Sequence, residues 1–408
     1  MLELLAPVGD LERLKIAINY GADAVYFGGK HYSLRASVGL TLEEIKEAIK
    51  YVRKSGKKAY ITINIFPHNE DLEGLPEYIK SVVDLGIDAI ILSDLGIFSI
   101  VKEVAPEVDV HISTQANNVN YKSAMFWHNL GAKRIILARE LSLKEIKEIR
   151  EKTPKTLELE AFVHGAMCIS YSGRCLLSNY LTGRDSNKGE CAQPCRWKYY
   201  LVEEKRPGEY MPIFEDERGT YILNSKDLCM IEYLPELVEA GVKSFKIEGR
   251  NKSAYYVAVV TRAYRKAIDD YLEKGKDYVF DKKLLEEVSK ASHRGFTTGF
   301  YFGKPGHEAQ NYESSKYIRT YDFVGIVKRY DPDSKIAVVE QRNRMFVGDK
   351  IEIIGPKVQF EQQIEKMWDE EGNEIEVAPH PQMIVKIPVK YPVEEFFILR
   401  REIKNIKN

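Results

Sequence analysis

Between Leu2 and Arg250 the chain repeats one pattern: a short apolar run, a turn, then a segment with apolar residues at helical spacing. The first cycle is Leu2–Val8 followed by Asp10–Tyr20, where Leu11, Leu14, Ile16, Ala17 and Ile18 fall largely on one face. The later runs are ADAVYFGG, KAYITINIF, DAIILSD, VDVHISTQ, AKRIILARE, LELEAFVHG and VKSFKIEGR. They are mostly continuous rather than alternating, as expected of parallel strands buried on both faces. In NYGADAVYF, DLGIDAIIL, NLGAKRIIL and EAGVKSFKI a glycine stands where a left-handed residue would stop a helix just before the next strand. Eight such cycles predict an α/β fold, a (β/α)8 TIM-like barrel. The rival, an open doubly wound sheet, usually carries a Gly-rich phosphate loop after its first strand, and APVGDLERL is not GxGxxG.

One connection breaks the pattern. Between the seventh run, ending at Gly165, and the eighth, starting near Ser244, lies a long insertion that holds all five cysteines. Loops this long in a compact domain are usually functional. Part of it, WKYYLVEEKR through MPIFEDERGTYILN, reads as a hairpin. After Arg250, SAYYVAVVTRAYRKAIDDYLEK reads as a long helix. From about Tyr321 the texture changes to alternating strands: DFVGIVKRY, KIAVVEQ, RMFVGDKIEIIG, QMIVKIPV and EEFFILRRE. The expected organisation is a barrel over 1–300 containing the cysteine-rich insertion 166–243, a linker over 301–320, and a small all-β barrel domain over 321–408.

The 408 residues carry 60 basic and 61 acidic side chains, a formal charge of −1, so there is no global pull toward nucleic acid and any such partner must be held by a local patch. The N-terminus lacks the features of a signal peptide, and no uncharged apolar run approaches bilayer-spanning length. A cytoplasmic protein with no membrane partner is expected, in which five cysteines are not a disulfide framework.

The cysteines follow the pattern Cys168-x6-Cys175-x15-Cys191-x3-Cys195, with Cys229 further on. Their surroundings, YSGRC and RDSNKGECAQPCR, are polar and loop-like, whereas filler cysteines belong on apolar strands or helices. They read as metal ligands. Structural zinc prefers paired CxxC knuckles, which are absent, while iron–sulfur sites accept more varied spacing. Spacing alone favours iron and leaves zinc open.

Barrel chemistry sits at the C-terminal strand ends, which here offer Asn64, Asp94, Ser113 with Gln115, Arg139 with Glu140, and His164. Lys246, Glu248 and Arg250 alternate along the eighth strand, and period-two spacing would point all three to the same side. Two cations buried with one carboxylate call for an anionic ligand, which Arg139 and Arg35 would help clamp. His164 is a candidate acid or base, a cluster neighbour, or a hydrogen-bonded core residue. GxSxG and HExxH are both absent.

Several blocks carry a resemblance. EAFVHGAMCISYSGRCLLSNY, RDSNKGECAQPCRW, NSKDLCMIEYLPELVEAGVKSFKIEGR and SHRGFTTGFYFG are similar to motifs of the collagenase-like peptidase family U32, in order and spacing, along essentially the whole chain. Within that family the architecture resembles the branch that acts with prephenate to form 5-hydroxyuridine at the wobble position of tRNA. The resemblance implies a 4Fe-4S cluster held by four cysteines, with Cys168, Cys175 and Cys191 matching throughout. The fourth ligand corresponds to Cys195 or Cys229, and this chain has both. Its implied partners are tRNA, prephenate as a small anionic co-substrate, and a paralogous subunit. On this reading His164, Arg139, Lys246, Glu248 and Arg250 are the catalytic candidates, and Arg35 and Gln115 the co-substrate contacts. Two alternatives stand beside it: a peptidase, and a non-enzymatic RNA- or ribosome-binding module.

Overall fold

The computed structural model describes residues 2–34, 38–168, 170–171, 175–186, 189–197, 200–201, 211–212, 225–305, 309 and 317–403. Eight strands form a parallel barrel: β1 (Glu3–Pro7), β2 (Ala24–Gly28), β3 (Lys58–Thr62), β4 (Ala89–Leu92), β5 (Asp109–Ile112), β6 (Arg134–Ile136), β7 (Glu158–Gly165) and β8 (Ser244–Ile247). Each pairs with the next, and β8 closes the ring by pairing with both β7 and β1. All eight lie within the apolar runs of the sequence. Helices start at side-chain caps: Asp10, Asp94 and Asn120 each accept a backbone N–H of the first turn, and Thr41 and Ser142 form capping boxes. The four glycines read as helix stops, Gly21, Gly86, Gly131 and Gly241, all have φ between 93° and 103°. In that conformation a side chain would be strained.

The barrel is not filled by aliphatic residues alone. Arg134 of β6 reaches Glu3 at 2.6 Å, Glu158 at 2.7 Å and Glu160 at 2.9 Å. Lys246 of β8 reaches the other oxygen of Glu160 at 2.7 Å. Ser244 and Tyr60 donate to Glu3, and the Lys246 ammonium lies 4.2 Å from the Tyr26 ring centre. This buried network corrects one expectation. The anion that compensates Lys246 is the protein's own Glu160, not a ligand.

Late in the insertion the short strand Asp227–Cys229 runs antiparallel to the end of β7, pairing Cys229 with His164, and parallel to Phe296–Thr297. The predicted hairpin is present as Tyr200–Leu201 paired with Met211–Pro212; the rest of it lies outside the described residues. Among the described residues no helix is long and apolar enough to cross a membrane.

The C-terminal domain is an antiparallel sheet of β9 (Tyr321–Asp331), β10 (Ile336–Gln341), β11 (Lys350–Ile354), β12 (Gln359–Gln363), β13 (Ile384–Pro388) and β14 (Ile398–Glu402), in the order β12-β11-β14-β9-β10-β13. The Gln362 amide joins the two end strands: it donates to Pro388 O at 2.8 Å and accepts from Lys390 N at 3.0 Å. The domain is bolted to the barrel's helices. Arg400, fully buried, pairs with Glu287 at 2.8 Å and Glu352 at 2.7 Å, and the Tyr20 hydroxyl donates to Ile354 O at 2.8 Å.

Candidate functional site

A cavity of about 400 Å³ opens where strands β5 to β8 end. Gln115 follows β5, Arg139 and Glu140 follow β6, Cys168 follows β7, and Glu248 and Lys252 follow β8. The cavity therefore sits at the C-terminal mouth, the face on which barrel enzymes place their chemistry. Gly165 makes the exit from β7. Its φ is 113°, and a Cβ there would come within 2.7 Å of the Glu248 carbonyl oxygen, so only glycine lets the chain turn toward Cys168.

Four of the five cysteines, Cys168, Cys175, Cys191 and Cys195, line this one cavity. Their scaffold is local. The helix Leu177–Thr182 follows Cys175, and its Ser178 hydroxyl accepts the Ala192 N–H at 3.0 Å, tying the Cys191 segment to the Cys175 segment. Ser186 donates to the Cys175 carbonyl. Backbone N–H groups of Leu177 and Gln193 donate to the sulfurs of Cys175 and Cys191, each at 3.4 Å. Burial pushes the Cys168 thiol up. The Ser170 N–H and Arg139 oppose that push, while Cys175 and Cys191 add to it as like charges. These are thiols that a metal would deprotonate.

Among the described residues no three His, Cys, Asp or Glu side chains converge as a site for an ion. The donor set is instead four thiols distributed around a cavity. Four thiols are a donor set that both an iron–sulfur cluster and zinc accept.

Cys229 is elsewhere. It is buried beside the Tyr264 hydroxyl, 4.0 Å away, does not line the cavity, and burial pushes its thiol up to about 12. His164 is also displaced. The pairing of β7 with β8 slips after Lys246, leaving Val163 as an extra residue in β7. Such a bulge reverses the side-chain alternation, so Phe162 stays near the Lys246 ammonium while His164 turns to Tyr256 and Tyr264 of the helix Ala254–Lys274. Burial, with Lys252 and His293 adding to it, lowers its pKa to about 3, so it is a neutral core histidine.

Arg250 does not share a strand face with Lys246, because β8 ends at Ile247. Its guanidinium instead donates to the hydroxyls of Ser33 and Thr62, both at 2.8 Å. Asp94 is the N-cap of a helix, and Asn64 donates to Gln115 at 3.2 Å. Arg139 lies 4.0 Å over the Phe162 ring and donates to Ala166 O at 3.4 Å. Arg35 lies outside the described residues. Of the expected residues, then, the cavity gathers four cysteines, Arg139, Glu140, Gln115 and Glu248. It leaves out Cys229, His164, Lys246 and Arg250.

One cavity residue escaped the sequence reading. Lys252 lies 4.3 Å from the Tyr317 ring centre and 5.1 Å from that of Tyr256, and its buried ammonium makes no hydrogen bond among the described residues. The available signal was its place at the next alternate position after Arg250 in a strand-end loop.

Residues 9–311 match the family described as peptidase family U32, and residues 319–400 match its C-terminal domain. The chain is 44% identical over 401 residues to tRNA hydroxylation protein P1 of Bacillus subtilis, covering 98% of this chain and 94% of that protein. It is 35% identical over 324 residues to the 23S rRNA 5-hydroxycytidine C2501 synthase of Escherichia coli, covering 78% of this chain and 48% of that protein. A Porphyromonas gingivalis protein named collagenase is 34% identical over 366 residues, with 87% and 86% covered. With three quarters of its length matched by the main family and most of the remainder by the companion domain, the chain belongs to peptidase family U32.

Proposed function

We propose that this protein is an enzyme that hydroxylates RNA, acting on a uridine of tRNA to give 5-hydroxyuridine at the wobble position. The observation that carries the reading is the set of four cysteines lining one cavity at the barrel mouth, in a chain similar to proteins named for RNA hydroxylation. Replacing a ring C–H by C–OH adds an oxygen atom and withdraws two electrons from the base, so the reaction needs an oxygen donor and a two-electron acceptor, with a redox group to pass the electrons between them. Cys168, Cys175, Cys191 and Cys195 would hold a 4Fe-4S cluster, which when bound supplies electron transfer. Arg139 and Lys252 give the cavity two cations suited to the carboxylates of prephenate, and Gln115 adds a neutral hydrogen-bonding group beside them. A paralogous subunit remains part of this proposal.

Anaerobic purification tests the cofactor: a brown protein with about four irons and four sulfides per chain is expected. Colourless protein with stoichiometric zinc would overturn it. Mass spectrometry of tRNA nucleosides from a deletion strain tests the substrate, and persistence of 5-hydroxyuridine derivatives with no redundant pathway would remove tRNA.

The collagenase name of one relative supports a second reading, a peptidase. A cysteine nucleophile needs a base, and no histidine is among the described residues lining the cavity. Gelatin cleavage by rigorously purified protein, unchanged in Cys168→Ala, would favour the peptidase over the redox reading.

A further inference from the structure

We infer that Gln115 selects uracil over cytosine, holding the oxygen at position 4 of the base with its side-chain N–H and so setting the neighbouring C5 in the cavity. This rests on the reading of the chain as an RNA hydroxylase and names the group that recognises the substrate base.

An amide side chain can present an acceptor or a donor, and its partners decide which. Gln115 is half-buried and lines the cavity. Its Oε1 accepts from two side chains, Asn64 Nδ2 at 3.2 Å and the Ser113 hydroxyl. Each of these donors is itself oriented by a backbone N–H, which can only donate. The Leu34 N–H reaches Asn64 Oδ1 at 3.4 Å, so the other end of that amide, Nδ2, is the one turned to Gln115. The Gln115 N–H reaches Ser113 Oγ at 3.5 Å, the capping bond of the turn Thr114–Ala116, and the hydroxyl hydrogen goes to Oε1. Asn64 and Ser113 are both buried, and the Asn64 N–H bonds Tyr32 O at 3.0 Å. The relay thus joins the segments that follow β2, β3 and β5. With Oε1 engaged twice inside the protein, the side-chain group that Gln115 has for a ligand is Nε2, which carries donors only.

That polarity distinguishes the two pyrimidines. At position 4 uracil carries an acceptor oxygen and cytosine an amino donor. An enzyme that modifies a base takes it out of the stack and reads its Watson–Crick edge in the pocket, and position 4 lies on that edge. C5, the carbon to be hydroxylated, is bonded to C4, so a group that holds the substituent at position 4 also fixes the reacting atom. In uracil the Gln115 donor meets an acceptor. In cytosine two donors face each other, and polar groups left unpaired in a closed site are what make it selective. The carboxylates of a co-substrate have better partners in the same cavity, the cations Arg139 and Lys252, because charge-assisted hydrogen bonds outweigh those of a neutral amide.

The test is binding of the full-length, anaerobically purified protein to two labelled stem-loop RNAs that differ only in carrying uridine or cytidine at one loop position. The readout is the ratio of the two affinities, in which any uniform effect of an added charge cancels. The parent should favour the uridine RNA by about tenfold, the order of one mispaired polar group in a closed site. Gln115→Glu keeps an oxygen for Asn64 and Ser113 but replaces the donor by an acceptor, so the preference should vanish or reverse. Asn64→Asp turns the Gln115 amide round without altering it and should erase the preference too, which a merely structural role for Asn64 would not do. Should that buried change prevent folding, Gln115→Glu carries the test alone. Gln115→Ala should bind prephenate like the parent. If the parent does not distinguish the two RNAs, or Gln115→Glu prefers uridine as strongly as the parent does, another residue reads the base; the inference is overturned while the hydroxylase reading survives. Loss of prephenate affinity in Gln115→Ala, with its uridine preference intact, would overturn it as well and make Gln115 a co-substrate contact. If the parent binds neither RNA, the functional reading falls and this inference with it.

Discussion

The closed interior of the barrel and its open mouth use the same residue types to opposite ends. Inside, Arg134 and Lys246 are buried against Glu3 and Glu160, with Ser244 and Tyr60 satisfying remaining carboxylate oxygens. A few residues further along the same strands, the side chains turn toward a cavity. There Lys252 has rings as neighbours and no hydrogen bond among the described residues, Arg139 lies over Phe162, and four cysteines line the space. Charge that is neutralised within the protein holds the strands together; charge and thiols left facing a cavity are available for a ligand. The difference is a matter of where a strand ends, and it separates residues that the sequence groups together.

The two cysteine environments give the sharpest way to break this comparison. Cys168→Ala should reduce iron and sulfide in anaerobically purified protein to background. Cys229→Ala, outside the cavity, should keep both and cost only about 1–2 kcal/mol of stability, as a small core truncation does. Iron and sulfide assays on the two variants check this. Loss of iron in Cys229→Ala with retention in Cys195→Ala would reverse the assignment of the fourth ligand.

Glu160→Gln strikes the interior. It leaves Arg134 and Lys246 competing for Glu3 and Glu158 in a buried setting, and a broken buried pair costs about 3–5 kcal/mol. Urea unfolding measures it. The double variant Glu160→Gln with Lys246→Met removes the stranded cation and should recover part of the loss; no recovery would mean that the pair is not the unit of stability.

Much of this was legible in the chain. Eight apolar runs became eight strands because a closed parallel barrel buries both strand faces, and four glycines marked helix ends because their backbone is left-handed. The cysteine insertion was visible as an interruption of the repeat. The partner of Lys246 was not, since Glu160 lies 86 residues away and only ring closure brings β7 beside β8. Nor was the fate of His164 and Arg250. Period-two reasoning holds only within an unbroken strand, and a bulge at Val163 and the end of β8 at Ile247 break it on either side.

At the mouth, Lys252→Met should weaken binding of a dicarboxylate such as prephenate by about tenfold. That is the low end of the ~1.5–3 kcal/mol of a charge-assisted contact. Titration calorimetry at low salt reads it directly. Lys246→Met, one layer deeper, should leave that affinity unchanged while lowering stability. Equal loss in both variants would show that the two regions are not separate.

The smallest effect concerns a third use of buried charge, at the joint between the domains. Burial disfavours the ionised forms of Glu287 and Glu352, yet the hydrogen bonds and charge of Arg400 hold both carboxyls below their ordinary value. Glu3 is held down likewise by Arg134 against its burial. A carboxyl lowered in the folded state stabilises fully above its unfolded pKa, near 4.3 for glutamate. That contribution is lost as pH falls through the lower folded value. Stability should therefore be flat above pH ~5 and decline below it. Glu3, at 14% side-chain exposure, is no better protected than Glu287 and Glu352, at 10% and 9%, so barrel and joint should weaken together. Small-angle scattering and far-ultraviolet circular dichroism should therefore change together during acidification. An increase in overall dimensions before the circular dichroism changes would mean that the Arg400 joint gives way first.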